Sequence, residues 1–494
     1  MGINNMTLIF SGNDFKYELE GVMKLFIPAK LFKHEFTDSY VTVEGSFAFF
    51  RRKRGKKNTL LYVYVKLGEK NCHKAELLNN DILDYDNECE LILSRLLFKV
   101  MTKLTDKQAK WGIITGIRPV KRVNMMLSQN MTQDQIYDIM QNRYLCDKDK
   151  IDIAYKTAKT QSEILSDLDS RSFSLYVSIP FCPTRCSYCS FVSQSIEGCL
   201  NLIPEYVDNL CREIEYTADI VKRLGLVLDT VYFGGGTPTT LEADMLDKLM
   251  KTISGSFDLS HLREYTVEAG RADTITPEKL EVLKKNGCNR ISINPQTLND
   301  SVLNQIGRKH TSKQFFDSYK LAESMKFESI NTDIIAGLPT DTLDSFKNTV
   351  DKLIQLEPEN ITVHTLSIKR AARLNQEENE EVFDNPASKM VDYATKKLLQ
   401  NNYQPYYLYR QKNMLDNLEN IGWCKPEKES LYNIYIMEEV QTIIAVGAGG
   451  STKLVDMKNE RLERIFNYKF PLEYNKHFDL MLKKKDEIEV FYAE

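Results

Sequence analysis

Hydrophobic and polar positions change rhythm twice along the chain. Up to about residue 168, apolar strand-like stretches at Met6 to Phe10, Val41 to Phe50 and Leu60 to Leu67 predict a small antiparallel sheet. Helices follow it. Glu90 to Lys103 has apolar residues at helical spacing, Thr132 with Gln135 makes a capping box, and Ile151 to Leu168 stays helical with few breakers. From Ser174 the pattern becomes short β-rich runs at Ser174 to Ile179, Asp229 to Gly234, Glu264 to Glu268, Asn289 to Asn294, Ile330 to Ile335 and Asn360 to Leu366. Amphipathic stretches separate them: Pro204 to Lys222, Ala243 to Ile253, Pro277 to Asn286, Lys313 to Met325 and Leu343 to Leu356. Strands alternating with helices predict parallel βα units with right-handed crossovers. A doubly wound sheet or a full or partial barrel would satisfy that rhythm. The polar residues favour the barrel, because almost every chemically unusual group falls just after a strand, at one common rim. Beyond about residue 385 the pattern is less regular, with a tyrosine-rich run over Asn402 to Arg410 and a small-residue turn over Val446 to Ser451. The expectation is an α/β protein: an α+β N-terminal domain of unknown role over 1–168, a partial (β/α)6 barrel over 169–385, and a C-terminal domain over 386–494 capping the rim.

Composition narrows the partners. The 494 residues are 42% hydrophobic and 27% charged, which suits a globular protein. The 65 basic and 69 acidic side chains nearly balance, so no whole-molecule field recruits nucleic acid or an anionic membrane. Arg51 to Lys57 is a dense basic run that could contact phosphates, but a charged hairpin tip fits the same pattern. No apolar run reaches the roughly 18 residues a membrane helix needs, and no secretion signal opens the chain. The expected location is the cytoplasm, where the 10 cysteines would be thiols.

Cys182, Cys186 and Cys189 stand in a Cys-x3-Cys-x2-Cys run on a loop after a strand. Closely spaced thiols of this kind can ligate a soft metal or an iron-sulfur cluster. Zinc would need a fourth ligand, for which Cys199 is available. A [4Fe-4S] cluster held by three thiolates instead leaves one iron open to a small molecule carrying an amine and a carboxylate. The next strand ends in Gly234-Gly-Gly-Thr-Pro-Thr239, where consecutive glycines let a backbone approach a ligand closely.

Together these residues resemble the radical S-adenosylmethionine (SAM) superfamily. Within it they resemble the oxygen-independent coproporphyrinogen III oxidase group, which also contains the haem chaperone HemW. Tyr176 to Cys182, the aromatic Tyr188, Gly234 to Thr239, Arg290-Ile-Ser-Ile293, Gln296, Ile306 to Thr311 and Asp333 to Pro339 are motifs of that group, in its order. Val267 to Arg271, Asn294 to Thr297 and Tyr409 to Asn413 are most similar to the HemZ-type branch. The resemblance implies a radical SAM enzyme in which Cys182, Cys186 and Cys189 hold a [4Fe-4S] cluster. Its open iron would chelate SAM, and one electron, from a flavodoxin or ferredoxin, would release methionine and a 5′-deoxyadenosyl radical. Tyr176, Gly235, Gly236, Thr237 and Glu268 match positions that contact this SAM, with Tyr188 beside the cluster and Tyr176 and Glu268 nearest the chemistry. Gln296, Arg308 and Asp333 match positions that bind a second SAM in the oxidase. A salt bridge between Arg308 and Asp333 is the plain alternative.

The implied reaction converts two propionates of coproporphyrinogen III to vinyls, giving protoporphyrinogen IX in haem biosynthesis. Arg271, Lys369, Arg370 and Arg410 are candidate clamps for an anionic tetrapyrrole, because guanidinium suits carboxylate. The oxidase proper has a further Cys two residues after the third ligand. Phe191 stands there, as in the chaperone branch, and Ser178 stands where a His is usual. A haem-handling protein on the same fold is therefore the alternative function.

Overall fold

The computed structural model describes residues 5–27, 32–37, 43–189, 193–367, 386–411 and 414–493. The chain divides into two compact units, one of residues 1–155 with 416–418 and one of the remainder.

The first unit holds strands β1 (Met6–Ser11), β2 (Phe32–Phe36), β3 (Ser46–Arg54), β4 (Asn58–Leu67) and β5 (Lys70–Asn79), in the spatial order β2-β1-β3-β4-β5. The sheet is mixed rather than antiparallel. β1 runs parallel to both β2 and β3, and only β3, β4 and β5 form an antiparallel meander. The helix Lys16–Met23 is the reason: it carries the chain back after β1, so that β2 starts in the same direction. Strand β4 alternates, burying Thr59, Leu61, Val63, Val65 and Leu67. Against that face the helix Tyr85–Thr105 lays a stripe including Cys89, Leu93, Leu97, Val100 and Leu104. The basic run is the tip of the β3–β4 hairpin. Arg52 donates to the Gly12 carbonyl (2.8 Å) and pairs with Asp86, and Arg54 lies 4.7 Å over the Tyr85 ring.

In the second unit every strand expected from Ser174 onward is present. They are β6 (Ser172–Ile179), β9 (Val227–Gly235), β10 (Glu264–Glu268), β11 (Arg290–Ser292), β12 (Ser329–Ala336) and β13 (Asn360–Thr365), joined by the short pair β7 (Phe181–Cys182) and β8 (Gln194–Ser195). Later strands are β14 (Gln404–Tyr409), β15 (Asn420–Cys424), β16 (Thr442–Val446), β17 (Ser451–Asp456) and β18 (Arg461–Phe466). One eleven-stranded sheet runs β14-β15-β13-β12-β11-β10-β9-β6-β16-β17-β18. From β16 through β6 to β13 neighbours are parallel, and β14, β15, β17 and β18 extend the two ends antiparallel. The crossover helices are the five amphipathic stretches. Thr276, Thr311 and Thr342 cap three of them with side-chain oxygens, the second as a full capping box.

Two buried networks tie the C-terminal segments to the sheet. At the N-terminal end of β10, Glu264 accepts from the Ser430 hydroxyl (2.8 Å) and the Leu431 amide (2.7 Å), seating the start of the helix Leu431–Glu438. Farther on, fully buried Lys485 pairs with fully buried Glu213 at 3.0 Å. Glu213 also receives the Gly447 amide, the Tyr474 hydroxyl and the Asn467 amide. A buried ion pair is tolerated only with such full satisfaction.

Candidate functional site

The cysteine loop is fastened at its root before it carries any ligand. After β6, the β7–β8 pairing and a bond from the Gln194 amide to the Pro180 carbonyl (2.9 Å) draw the two ends of the loop together. The glycines after β9 press against that root. The Gly236 amide donates to Ile179 O (2.7 Å) and the Thr237 amide to Phe181 O (2.8 Å). Gly235 has φ +106°, and a Cβ on Gly236 would lie 2.4 Å from Phe181 O. The close backbone approach that demands glycine is thus, first of all, an approach to the thiol loop. Behind it, the Tyr206 hydroxyl donates to Ser178 O (2.8 Å) and accepts from the Ala448 amide (2.9 Å), while Ser178 Oγ donates to Ala448 O (2.7 Å). The small-residue turn between β16 and β17 buttresses the strand that feeds the loop.

The far side of the loop is held by later motifs. The Ser187 amide donates to Ile306 O, and Thr184 Oγ1 to Gly307 O, each at 3.0 Å. Arg271 Nη1 reaches Thr184 Oγ1 (2.7 Å), while the rest of its guanidinium is bidentate on Asp273 at 2.9 and 2.7 Å. Arg271 therefore braces the loop, which differs from the role of a substrate clamp.

Of the residues assigned to the cluster or to SAM, all except Tyr176 line one cavity of about 330 Å3. Cys182, Cys186, Cys189 and Tyr188 face it from the loop, Gly235, Gly236 and Thr237 from the end of β9, and Glu268, Gln296, Arg308 and Asp333 from the strands beyond. Tyr176 sits in the stack beneath. Its register on β6 sets it beside Tyr232 of β9, and the rings of Tyr176, Tyr232 and Tyr432 stack with centroids 4.3 to 6.2 Å apart. Tyr232, not Tyr176, supplies the phenol on the cavity wall, donating to Glu268 Oε1 at 2.6 Å.

The deep wall is acidic. Burial raises the Glu268 carboxyl to about 7, the nearby Asp333 charge adds to the rise, and the Tyr232 bond opposes it. Burial also works to raise Asp333, but His364 and the Asn331 amide (2.8 Å) hold it below the usual range. Its basic neighbour is His364, with Nε2 3.7 Å from Oδ2. Arg308 instead donates to Asn294 O (2.7 Å) and Gly270 O (3.3 Å), so the plain Arg308–Asp333 bridge is not formed. Gln296 is held in the left-handed region at φ +64° with its Oε1 buried and unpartnered, an acceptor awaiting a donor. Cys182 is raised by burial, although Thr237 Oγ1 donates to its sulfur at 3.6 Å.

Sequence reasoning missed Tyr232, His364 and Tyr407, which also face the cavity. His364 is one of only 6 histidines and lies in a strand, which was the available signal. Arg410 is buried, whereas Lys369, Arg370 and Phe191 lie outside the described residues. Cys199 donates its thiol to Ser195 O (3.1 Å) and is not on the cavity wall. Among the described residues no three Cys, His, Asp or Glu side chains converge on a single ion. The donor set suits a cluster better than zinc, because thiolates on separate corners of a cube stand farther apart than thiolates around one ion. The orphan Gln296 oxygen and the backbone ledge at Gly235 and Gly236 fit a polar ligand beside it.

A model of the radical SAM superfamily matches residues 176–353. The oxygen-independent coproporphyrinogen-III oxidase-like protein HemZ of Bacillus subtilis (strain 168) is 39% identical over 392 residues, 78% of each chain. The haem chaperone HemW of Lactococcus lactis subsp. lactis is 30% identical over 321 residues, 64% of this chain and 79% of that one. Among solved structures, the Escherichia coli coproporphyrinogen III oxidase HemN superposes with a TM-score of 0.51 over 66% of this chain and 73% of its own, at 22% identity, a likeness of fold. The chain belongs to the radical SAM superfamily, in the group that contains HemN, HemW and HemZ. Membership implies a [4Fe-4S] cluster and SAM as cofactors. Among the described residues, no helix is long and apolar enough to cross a membrane.

Proposed function

We propose that the protein is an oxygen-independent coproporphyrinogen III oxidase that converts two propionates to vinyl groups. The observation that carries this reading is the meeting, in one cavity, of the three thiols, the glycine ledge and the Glu268–Asp333 wall, in a chain 39% identical to HemZ over 78% of its length. Cys182, Cys186 and Cys189 would hold the cluster and leave one iron to SAM. When bound, the cluster and SAM supply a carbon-centred radical that removes a hydrogen atom from a propionate β-carbon, after which carbon dioxide leaves and one electron passes to an acceptor. The chain's part is positioning and exclusion of water. Gly235, Gly236 and Thr237 would offer backbone groups along SAM, Glu268 would accept from its polar groups, and Gln296 Oε1 would take a further donor. Arg308 and Asp333 stand where a second SAM would sit. The tyrosine stack and Met437 close the floor against solvent. A low-potential donor such as flavodoxin or ferredoxin would deliver the electron.

Anaerobic incubation with dithionite, SAM and coproporphyrinogen III, followed by product mass measurement, tests the reading. Protoporphyrinogen IX is expected; SAM cleavage without vinyl product would refute the substrate. The second reading is a haem-handling protein, favoured by 30% identity to HemW across 79% of that chain. Stoichiometric haem uptake without decarboxylation would select it.

A further inference from the structure

An anionic tetrapyrrole needs cations, and the cavity's arginines are largely committed. Arg271 is closed on Asp273 and Thr184, Arg308 on two main-chain carbonyls, and Arg185 belongs to the thiol loop. The deep wall carries two carboxylates, Glu268 and Asp333, which repel propionate and suit SAM. His364 breaks this pattern. It projects from β13 into the cavity with 29% of its side chain exposed, and Asp333 on β12 steadies its Nε2 side from 3.7 Å. Among the described residues its one side-chain ion-pair or hydrogen-bond contact is that with Asp333, on the Nε2 side. An imidazole whose Nε2–H faces a carboxylate keeps only a lone pair on Nδ1 when neutral; when protonated it presents a second N–H donor and a charge there.

We propose that His364 is a specificity-determining residue that, as the imidazolium between two carboxylates, binds a propionate of the tetrapyrrole through Nδ1–H, with Asp333 on its Nε2 side as its positioning residue. The assignment rests on the porphyrinogen reading above. It puts the carboxylate anchor on β13, five strands along the sheet from β6, which feeds the thiol loop, so that the reacting side chain would lie between the radical source and the anchor.

The test compares binding of coproporphyrin III, the stable oxidised form with four carboxylates, and of its tetramethyl ester to cluster-loaded protein by fluorescence titration. The cluster's visible absorption reports an assembled site in each variant. The wild type should prefer the acid, and in His364→Phe that preference should fall on the order of tenfold to a hundredfold, the worth of a charge-assisted bond. In His364→Gln, which keeps a neutral donor, the fall should be smaller. Acid-over-ester preference unchanged in both variants overturns the assignment and leaves the proposed reaction standing. Loss of preference in the variants, with no vinyl product from the wild type in turnover, keeps the His364 anchor and overturns the decarboxylation. A wild type that binds acid and ester alike overturns the anchor.

Discussion

Replacing Glu268 by Gln removes a proton that the empty site holds with a pKa of about 7. In the wild type, roughly a tenth of Glu268 is ionised at pH 6 and roughly nine tenths at pH 8. If the carboxylate is what accepts from SAM, affinity should rise about tenfold across that interval from this group alone. The α-amine of SAM titrates near pH 7.7–8.0 and must lose its proton to reach iron, so it adds a slope of its own. Equilibrium dialysis of radiolabelled SAM against cluster-loaded protein, done anaerobically from pH 6 to 8, separates the two. The amine's slope persists in the Gln variant and Glu268's share disappears. At pH 8 the variant should bind roughly fivefold to tenfold more weakly, the difference between a charged and a neutral acceptor. Stability moves the other way. With a folded pKa above the unfolded one, Glu268 favours the ligand-free fold fully below about pH 4.3 and loses that contribution as pH rises through 7. The variant should then be the more stable apoprotein at pH 8, by an amount on the order of 3 kcal/mol. Equal SAM slopes in the two proteins would sink the role given to Glu268.

Other outcomes follow from the packing. Lys485→Met strands the fully buried Glu213 carboxylate and should cost about 3–5 kcal/mol in denaturant unfolding, much of it recovered when Glu213→Gln is added. Gly236→Ala pushes a methyl into the Phe181 carbonyl, so anaerobically reconstituted iron and sulfide should drop although the helix content by circular dichroism is kept. Cys186→Ala should lose the cluster by the same analysis, whereas Cys199→Ala, a buried thiol off the cavity wall, should retain it.

The six central strands and their helices were legible because burial on both faces writes a strand as a short apolar run, and threonine caps mark the helix starts. The edges were not. β2 is five residues long with no buried position, so nothing in its sequence records a strand, and the parallel turn of β1 toward it went unread. β16 joins β6 across some 270 residues of chain, a pairing that local pattern cannot announce. In the site, thiols and glycines advertise themselves by spacing. Tyr232 and His364 do not, since an inward-facing aromatic or imidazole looks like core until its neighbours are known. Tyr176 is legible by its motif; its register puts the ring in the stack, and the hydroxyl on the wall comes from Tyr232.

The strand that feeds the thiol loop is flanked on one side by a segment some 270 residues further along the chain. Until Thr442–Val446 has left the ribosome, β6 lacks one of its two neighbours, and the Ser178 end of that strand lacks Ala448 and Gly447. Cluster loading should consequently wait until the chain has been made at least through β16. Any truncation that spares every cysteine yet ends ahead of β16 should yield a colourless protein.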